Sequence, residues 1–251
     1  MTQSKYYAVL TGDIIKSSRL SPADLESVRT TLLRAVNAVR RWKPGLIQGK
    51  PEFFRGDAWQ LLLTDPAPAL RVAIHLRASL RAAGLADTRV AIGLGPVEKI
   101  SSERVSLSTG QVFVLSGKAL DQMTRYSSMT IEVPKPASPL AEWLQVAGHL
   151  CDSLIGQWTM RQAELVRAAV NPKELDSGEI GQSLRPVVSK QAVAKGLSAA
   201  NWYVVREAIR LFEETAWGTV LRRGAQTTEN GCLPPDNQKR LSAPRQPKKV
   251  V

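Results

Sequence analysis

Two Gly-Asp dipeptides, Gly12-Asp13 and Gly56-Asp57, put carboxylates at the edges of apolar runs. Tyr6-Tyr7-Ala8-Val9-Leu10-Thr11 leads up to the first, and Ala58-Trp59-Gln60-Leu61-Leu62-Leu63 leads away from the second. Carboxylate oxygens suit hard cations such as Mg²⁺ or Mn²⁺. Two such ions can activate a hydroxyl nucleophile and neutralise a leaving phosphate. The competing reading is that glycine and aspartate merely form turns here, their commonest use.

Whether the pair acts together depends on the elements that carry it. The run ending at Thr11 reads as a buried central strand. Ser21-Pro22 opens a helix in which Leu25, Val28, Leu32, Val36 and Val39 recur at helical spacing, and Pro44-Gly45 ends it. Strands over 46–54 and 58–63 are joined through Arg55-Gly56-Asp57. Asp65-Pro66 opens a second helix with Leu70, Ala73, Ile74, Arg77 and Leu80 on one face, and Gly84 closes it. A strand over 88–94 follows, then a helix after Gly110 and a further strand over 129–133. The order βαββαβ, extended by one helix and one strand, predicts an α+β domain of ferredoxin-like type over 1–133. In that arrangement the first strand and the hairpin are neighbours, so Asp13 and Asp57 face one another.

Pro134, Pro136 and Pro139 mark a boundary. Ser138-Pro139 then opens a long helical pattern with Leu144, Cys151, Leu154, Trp158 and Leu165, expected as one connector or dimer helix over 138–170. A polar loop over 171–186 precedes helices at 189–195 and 200–215, flanking Gly196-Leu197-Ser198. This predicts an all-α helix-turn-helix segment within 171–220. Its second helix would present Ser198, Ala200, Asn201, Tyr203 and Arg206 to a DNA major groove. An ordinary helical hairpin is the alternative, because Glu207 stands where an apolar residue is usual and Glu213-Glu214 would repel phosphate. Residues 224–251 lose apolar periodicity and gather prolines and cations, the composition of a disordered basic tail.

The net charge of +12 favours polyanionic partners, DNA or nucleotides among them, although solubility plus a basic tail would also account for it. Cys151 and Cys232 show no paired spacing, so neither a disulfide framework nor a zinc site is expected. The polar start, Met1 to Tyr7, has no signal-peptide pattern, and no apolar run approaches the ~20 residues that span a bilayer. A cytoplasmic location without a membrane partner is the expectation. His75 and His149 have no cysteine or second histidine at metal spacing. Gly93-Leu94-Gly95 lacks the next glycine of a dinucleotide site, and no serine-nucleophile motif occurs.

Val9-Leu10-Thr11-Gly12-Asp13-Ile14-Ile15, Arg55-Gly56-Asp57-Ala58-Trp59 and Arg89-Val90-Ala91-Ile92-Gly93-Leu94-Gly95, with Gly110 before a helix, resemble the class III nucleotide cyclase homology domain over residues 5–133. The resemblance implies that Asp13 and Asp57 hold two metal ions, with the Ile14 carbonyl as a further ligand. It places Ile15, Lys16, Ser17 and Ser18 at the triphosphate, and implies a homodimer, because such sites form between two subunits. Phe53 stands where purine cyclases carry a base-selecting lysine, and Leu107 near a second base-selecting position. Val114 and Lys118 stand where the transition-state asparagine and arginine would fall. Lys118 or Arg55 is left to offset charge at the α-phosphate, and Phe53 either stacks on another base or packs in the core. Ordinary purine cyclase activity is therefore not expected.

Gly12-Asp13-Ile14-Ile15-Lys16-Ser17, Ala119-Leu120-Asp121-Gln122-Met123 and Trp158-Thr159-Met160-Arg161-Gln162 further resemble the SatD-like family over residues 6–215. That resemblance implies a cyclase-like domain joined to a helix-turn-helix, in a regulatory role. The expectation is a DNA-binding regulator whose first domain binds a nucleotide or phosphorylated small molecule with Mg²⁺ or Mn²⁺. An active nucleotidyl cyclase of unusual specificity and a non-catalytic dimeric adaptor are the alternatives.

Overall fold

The computed structural model describes residues 6–54, 56–101, 104–134 and 139–222. Arg55 and the expected basic tail over 224–251 lie outside the described residues. The chain begins with β1 (Tyr6–Ile14), α1 (Pro22–Trp42), β2 (Ile47–Phe54) and β3 (Ala58–Leu63). It continues through α2 (Ala69–Ala83), β4 (Thr88–Pro96), α3 (Gln111–Gln122) and β5 (Met129–Glu132). The strands form one sheet in the order β2-β3-β1-β4-β5, giving a mixed α+β architecture. The first four are antiparallel neighbours, while β5 runs parallel to β4.

Local chemistry sets the ends of these elements. The Ser21 side chain accepts from the Asp24 amide with Pro22 in the first turn of α1, and left-handed Gly84 closes α2. Strand alternation then divides β1 between two layers. Ala8, Leu10 and Ile14 join the large core beneath α1 and α2. Val9 packs with Leu62, Val105 and Val112 on the opposite face, where the Thr11 hydroxyl also donates to Ser116 of α3. Asp13, in step with Val9 and Thr11, belongs to that second face.

The C-terminal half differs from the expectation in three places. The single helix expected over 138–170 is two, α4 (Leu140–Gly156) and α5 (Met160–Ala169). A capping box between Thr159 and Gln162 starts the second, and it turns there because Trp158 is buried, with its indole donating to the Ala200 carbonyl at 2.8 Å. Inside the expected polar loop lies α6 (Ser177–Ser183), opened by a second capping box between Asp176 and Glu179. The final hairpin is α7 (Lys190–Ala199) and α8 (Trp202–Glu214), with its turn at Ala200 and left-handed Asn201 rather than at Gly196. Gly196 is helical. A Cβ there would lie 2.3 Å from Leu165 Cδ1, so glycine allows α5 and α7 to approach.

These helices are not a detached domain. Their buried residues, including Leu165, Val166, Val205, Ile209 and Phe212, belong to the same core as β1 and α2. Between Ala69 and Leu80, only Arg71 of α2 is not buried, because α5 covers the side turned away from the sheet. Even Arg71 crosses the boundary. It donates to both Glu213 carboxylate oxygens at 2.7 Å and to the Val170 carbonyl at 2.8 Å.

Candidate ligand site at the end of the first strand

The two Gly-Asp dipeptides owe their glycines to different causes. Gly12 is no turn but the interior of β1, where a Cβ would meet the Trp59 ring at 2.5 Å and the Arg89 carbonyl at 2.3 Å. Trp59 is held over it by its indole nitrogen, which donates to Thr88 Oγ1 at 2.8 Å. The Thr88 hydroxyl in turn donates to the Asp13 carbonyl at 2.6 Å. Gly56 does sit in a turn, with φ of 91°.

The antiparallel registers place Asp13 opposite Ala58 on one side and opposite Arg89 on the other. Asp57 adjoins Ala58, and its carbonyl accepts from the Ile14 amide at 3.2 Å. The sheet thus brings the neighbourhoods of the two aspartates together. Arg89 dominates the result. Its Nε donates to Asp13 Oδ1 at 2.8 Å while Nη2 binds Oδ2, a forked pairing that occupies both oxygens of Asp13. The hydrogen bonds to Asp13, with the charges of Asp13, Asp121 and Asp57, push the Arg89 pKa further up, so the guanidinium stays charged. Asp57 accepts a short hydrogen bond from the Ser17 hydroxyl.

Several expected roles change accordingly. Ile15 cannot offer its amide to a phosphate, because it donates to the Asp87 carbonyl at 2.9 Å. Ile14, expected as a metal ligand through its carbonyl, donates its own amide to the Asp57 carbonyl. Lys16 is exposed and left-handed at φ 58°, and Ser17 begins a single 3-10 turn with Ser18. Phe53 lies opposite Trp59 and packs against the core under α1 and α2, on the other face of the sheet from Asp13. Core packing, not base stacking, is its place here. Lys118 is exposed on α3, one turn before Asp121. Arg89 and Asp121 both stand in the sequence motifs, but only strand register reveals that Arg89 meets Asp13.

Among the described residues there is no group of three or more His, Cys, Asp or Glu side chains placed to hold a metal. The donor set around Asp13 fits a guanidinium counter-ion rather than a cation cage. Mg²⁺ commonly takes one or two carboxylates together with waters and phosphate oxygens. To do so at Asp13 it would have to displace Arg89.

A second ion cluster lies behind the first. Arg77 of α2 is 1% exposed and binds Asp87 through two hydrogen bonds, at 3.0 and 2.7 Å, and Asp152 of α4 at 2.6 Å. Burial alone would raise the Asp87 pKa, yet the Arg77 charge and hydrogen bonds, with Arg81, hold it below the usual carboxylate range. Arg81 also donates to the Gly156 and Trp158 carbonyls at the α4–α5 corner.

On the C-terminal hairpin, Ser198, Asn201 and Tyr203 are exposed. Ala200 is 2% exposed, because its carbonyl faces Trp158, so it cannot meet a groove. Arg206 pairs with Glu174, and Arg210 is spanned by Glu207 and Glu214.

No family model and no curated protein matches the chain. Among solved structures, the guanylyl cyclase Cya2 is similar at 17% identity over 51% of this chain and 74% of that one, with a TM-score of 0.34. A likeness of that size carries no functional argument. Among the described residues, no helix is long and apolar enough to cross a membrane.

Proposed function

We propose that this chain is a ligand-responsive regulator. Its sheet half holds a nucleotide or phosphorylated small molecule near Asp13, Asp57 and Arg89, and its α7–α8 hairpin acts on DNA. Support for a cyclase-like, ferredoxin-like sheet half comes from the antiparallel order β2-β3-β1-β4. The observation that carries the coupling is a continuous set of bonded groups. The Ile15 amide binds the Asp87 carbonyl, the Asp87 carboxylate binds Arg77, and Arg77 binds Asp152 of α4. A ligand acts on DNA only if it binds one arrangement of these elements better than another.

Arg89 carries the anion-binding part of the proposal, since a phosphate can take the place of Asp13 on its fork. Mg²⁺ or Mn²⁺ enters this reading as a competitor of Arg89 for Asp13. On the DNA side the contacts are Ser198 in the last turn of α7, Asn201 in the turn and Tyr203 in the first turn of α8. A homodimer is part of the proposal, read by sedimentation at high concentration. The intact chain should give a salt-sensitive, sequence-selective shift of DNA from its own promoter region, weakened by Asn201→Ala and altered by nucleotide. Absence of any such shift rejects the reading.

The convergence of Asp13 and Asp57 favours one other reading, a metal-dependent nucleotidyl cyclase with Lys118 or Arg55 offsetting charge. Incubation with all four nucleoside triphosphates and Mn²⁺ tests it. Turnover that survives Asp57→Ala counts against the assigned roles.

A further inference from the structure

A cleft on the far side of the molecule from Asp13 has the chemistry of a phosphate site. Its floor is α2 and its walls are α1 and α5, so the sheet separates it from the Asp13 cluster. Two adjoining lobes, about 450 and about 430 Å³, share Ala38, Arg41, His75 and Arg167. Arg34 and Arg41 stand seven residues apart on α1, two helical turns, and so line one wall with small Ala38 between them. Arg167 faces them from α5, and Lys173 closes the second lobe.

None of these four cations forms an ion pair among the described residues. The carboxylate in the first lobe, Glu164, is already bound to Arg161. At the floor, His75 is 4% exposed and neither ring nitrogen makes a hydrogen bond. The Ala35 carbonyl is near enough to favour the charged ring slightly, but burial and the Arg167 charge keep the imidazole neutral at pH 7. A neutral imidazole still presents one N–H donor. A buried donor and acceptor left without partners is costly, and such groups in proteins ordinarily meet a ligand or water. Trp42, edge-on to His75 with ring centroids 4.5 Å apart, adds an aromatic surface to the second lobe beside Asn171.

We propose that this cleft binds a nucleoside polyphosphate, with its phosphates between Arg34, Arg41 and Arg167 over His75 and its base in the lobe of Trp42 and Asn171. Guanidinium forks match phosphate oxygens in geometry as well as charge. The site joins α1 and α2 to α5, so its occupancy would bear on how the C-terminal helices seat. This proposal does not depend on the Asp13 cluster.

Isothermal titration of the full chain with inorganic pyrophosphate and with ATP tests it. Saturable binding is expected for both, tighter for ATP. The double substitution Arg41→Ala with Arg167→Ala should weaken both by about tenfold or more, with an unchanged melting temperature when no ligand is present. Trp42→Leu should weaken ATP alone, and Lys195→Ala should weaken neither. ATP binding no tighter than pyrophosphate would overturn the nucleoside part and leave a plain polyphosphate site. No saturable binding, or equal losses from Lys195→Ala, or binding lost with Asp13→Asn but kept in the double variant, would overturn the cleft itself.

Discussion

Arg77 and Arg89 are both guanidiniums set among carboxylates, yet they differ in what water can reach. Arg77 is 1% exposed and its partners Asp87 and Asp152 are 12% and 11% exposed. Arg89 is 33% exposed and Asp13 20%. A buried charge cannot release its partner without leaving an uncompensated ion in a poor solvent, whereas a partly wet one can trade its partner for water or another ion. The first cluster is therefore a strut between α2 and α4, and the second is open to exchange. Position in the sheet alone would not separate them, since Asp87 and Asp13 lie at neighbouring strand ends.

The largest test is to remove the strut. Arg77→Ala should cost about 3–5 kcal/mol, because it strands buried Asp152 and leaves Asp87 with Arg81 alone, and urea unfolding would read the loss. A cost below about 1 kcal/mol would mean that the cluster is far wetter than its exposure indicates. Next in size is His75, a buried group that no carboxylate among the described residues pairs. Burial, reinforced by Arg167 and opposed by the Ala35 carbonyl, lowers its pKa from 6.5 to about 4. The unfolded chain then takes up its proton first on acidification. Its contribution is fully present above pH 6.5 and is lost as the pH falls to about 4, up to about 3 kcal/mol. Urea midpoints from pH 7.5 to 4.5 should fall more steeply in the native chain than in His75→Leu, and parallel curves would refute the assignment.

Arg89→Met tests the open cluster. Folding stability should change by less than about 1 kcal/mol, while Mn²⁺ binding, followed by electron paramagnetic resonance, should strengthen because Asp13 is freed. Unaltered or weaker Mn²⁺ binding would show that Arg89 does not guard Asp13. The smallest effect belongs to Arg210, whose pairs with Glu207 and Glu214 are exposed. Arg210→Ala should leave the melting temperature within error, and a clear drop would place more weight on surface pairs than the comparison allows.

The strands and α1 were legible because each rests on local pattern, and the adjacency of Asp13 and Asp57 followed from the βαββαβ order that those elements spell. Ser21-Pro22 caps α1, Gly84 stops α2, and alternating apolar residues mark β1. What failed rests on contacts between distant residues. The apolar spacing of Leu154, Trp158 and Leu165 runs smoothly through the α4–α5 break, and only the Trp158 bond to Ala200 and the capping box at Thr159 betray it. Asp176 and Glu179 did spell a helix start, at the right spacing, within a stretch whose polarity suggested a loop. Gly196 reads as a turn residue when its role is to admit Leu165. The Arg89 fork on Asp13 needs the register of β1 against β4, which no local periodicity encodes.

Helix α2 is buried along nearly its whole length, covered by the sheet on one side and mainly by α5 on the other. That bears on inheritance. A chain ending after β5 would bare the side of α2 that α5 covers and strand the charges of Arg71 and Arg77 without Glu213 and Asp152, a surface prone to aggregation. Acquiring, losing or exchanging the C-terminal helices as a cassette would carry the same penalty. Change in either half is therefore tied to change in the other, and descendants of this chain should vary at the rim of α7 and α8 long before they vary at the seam.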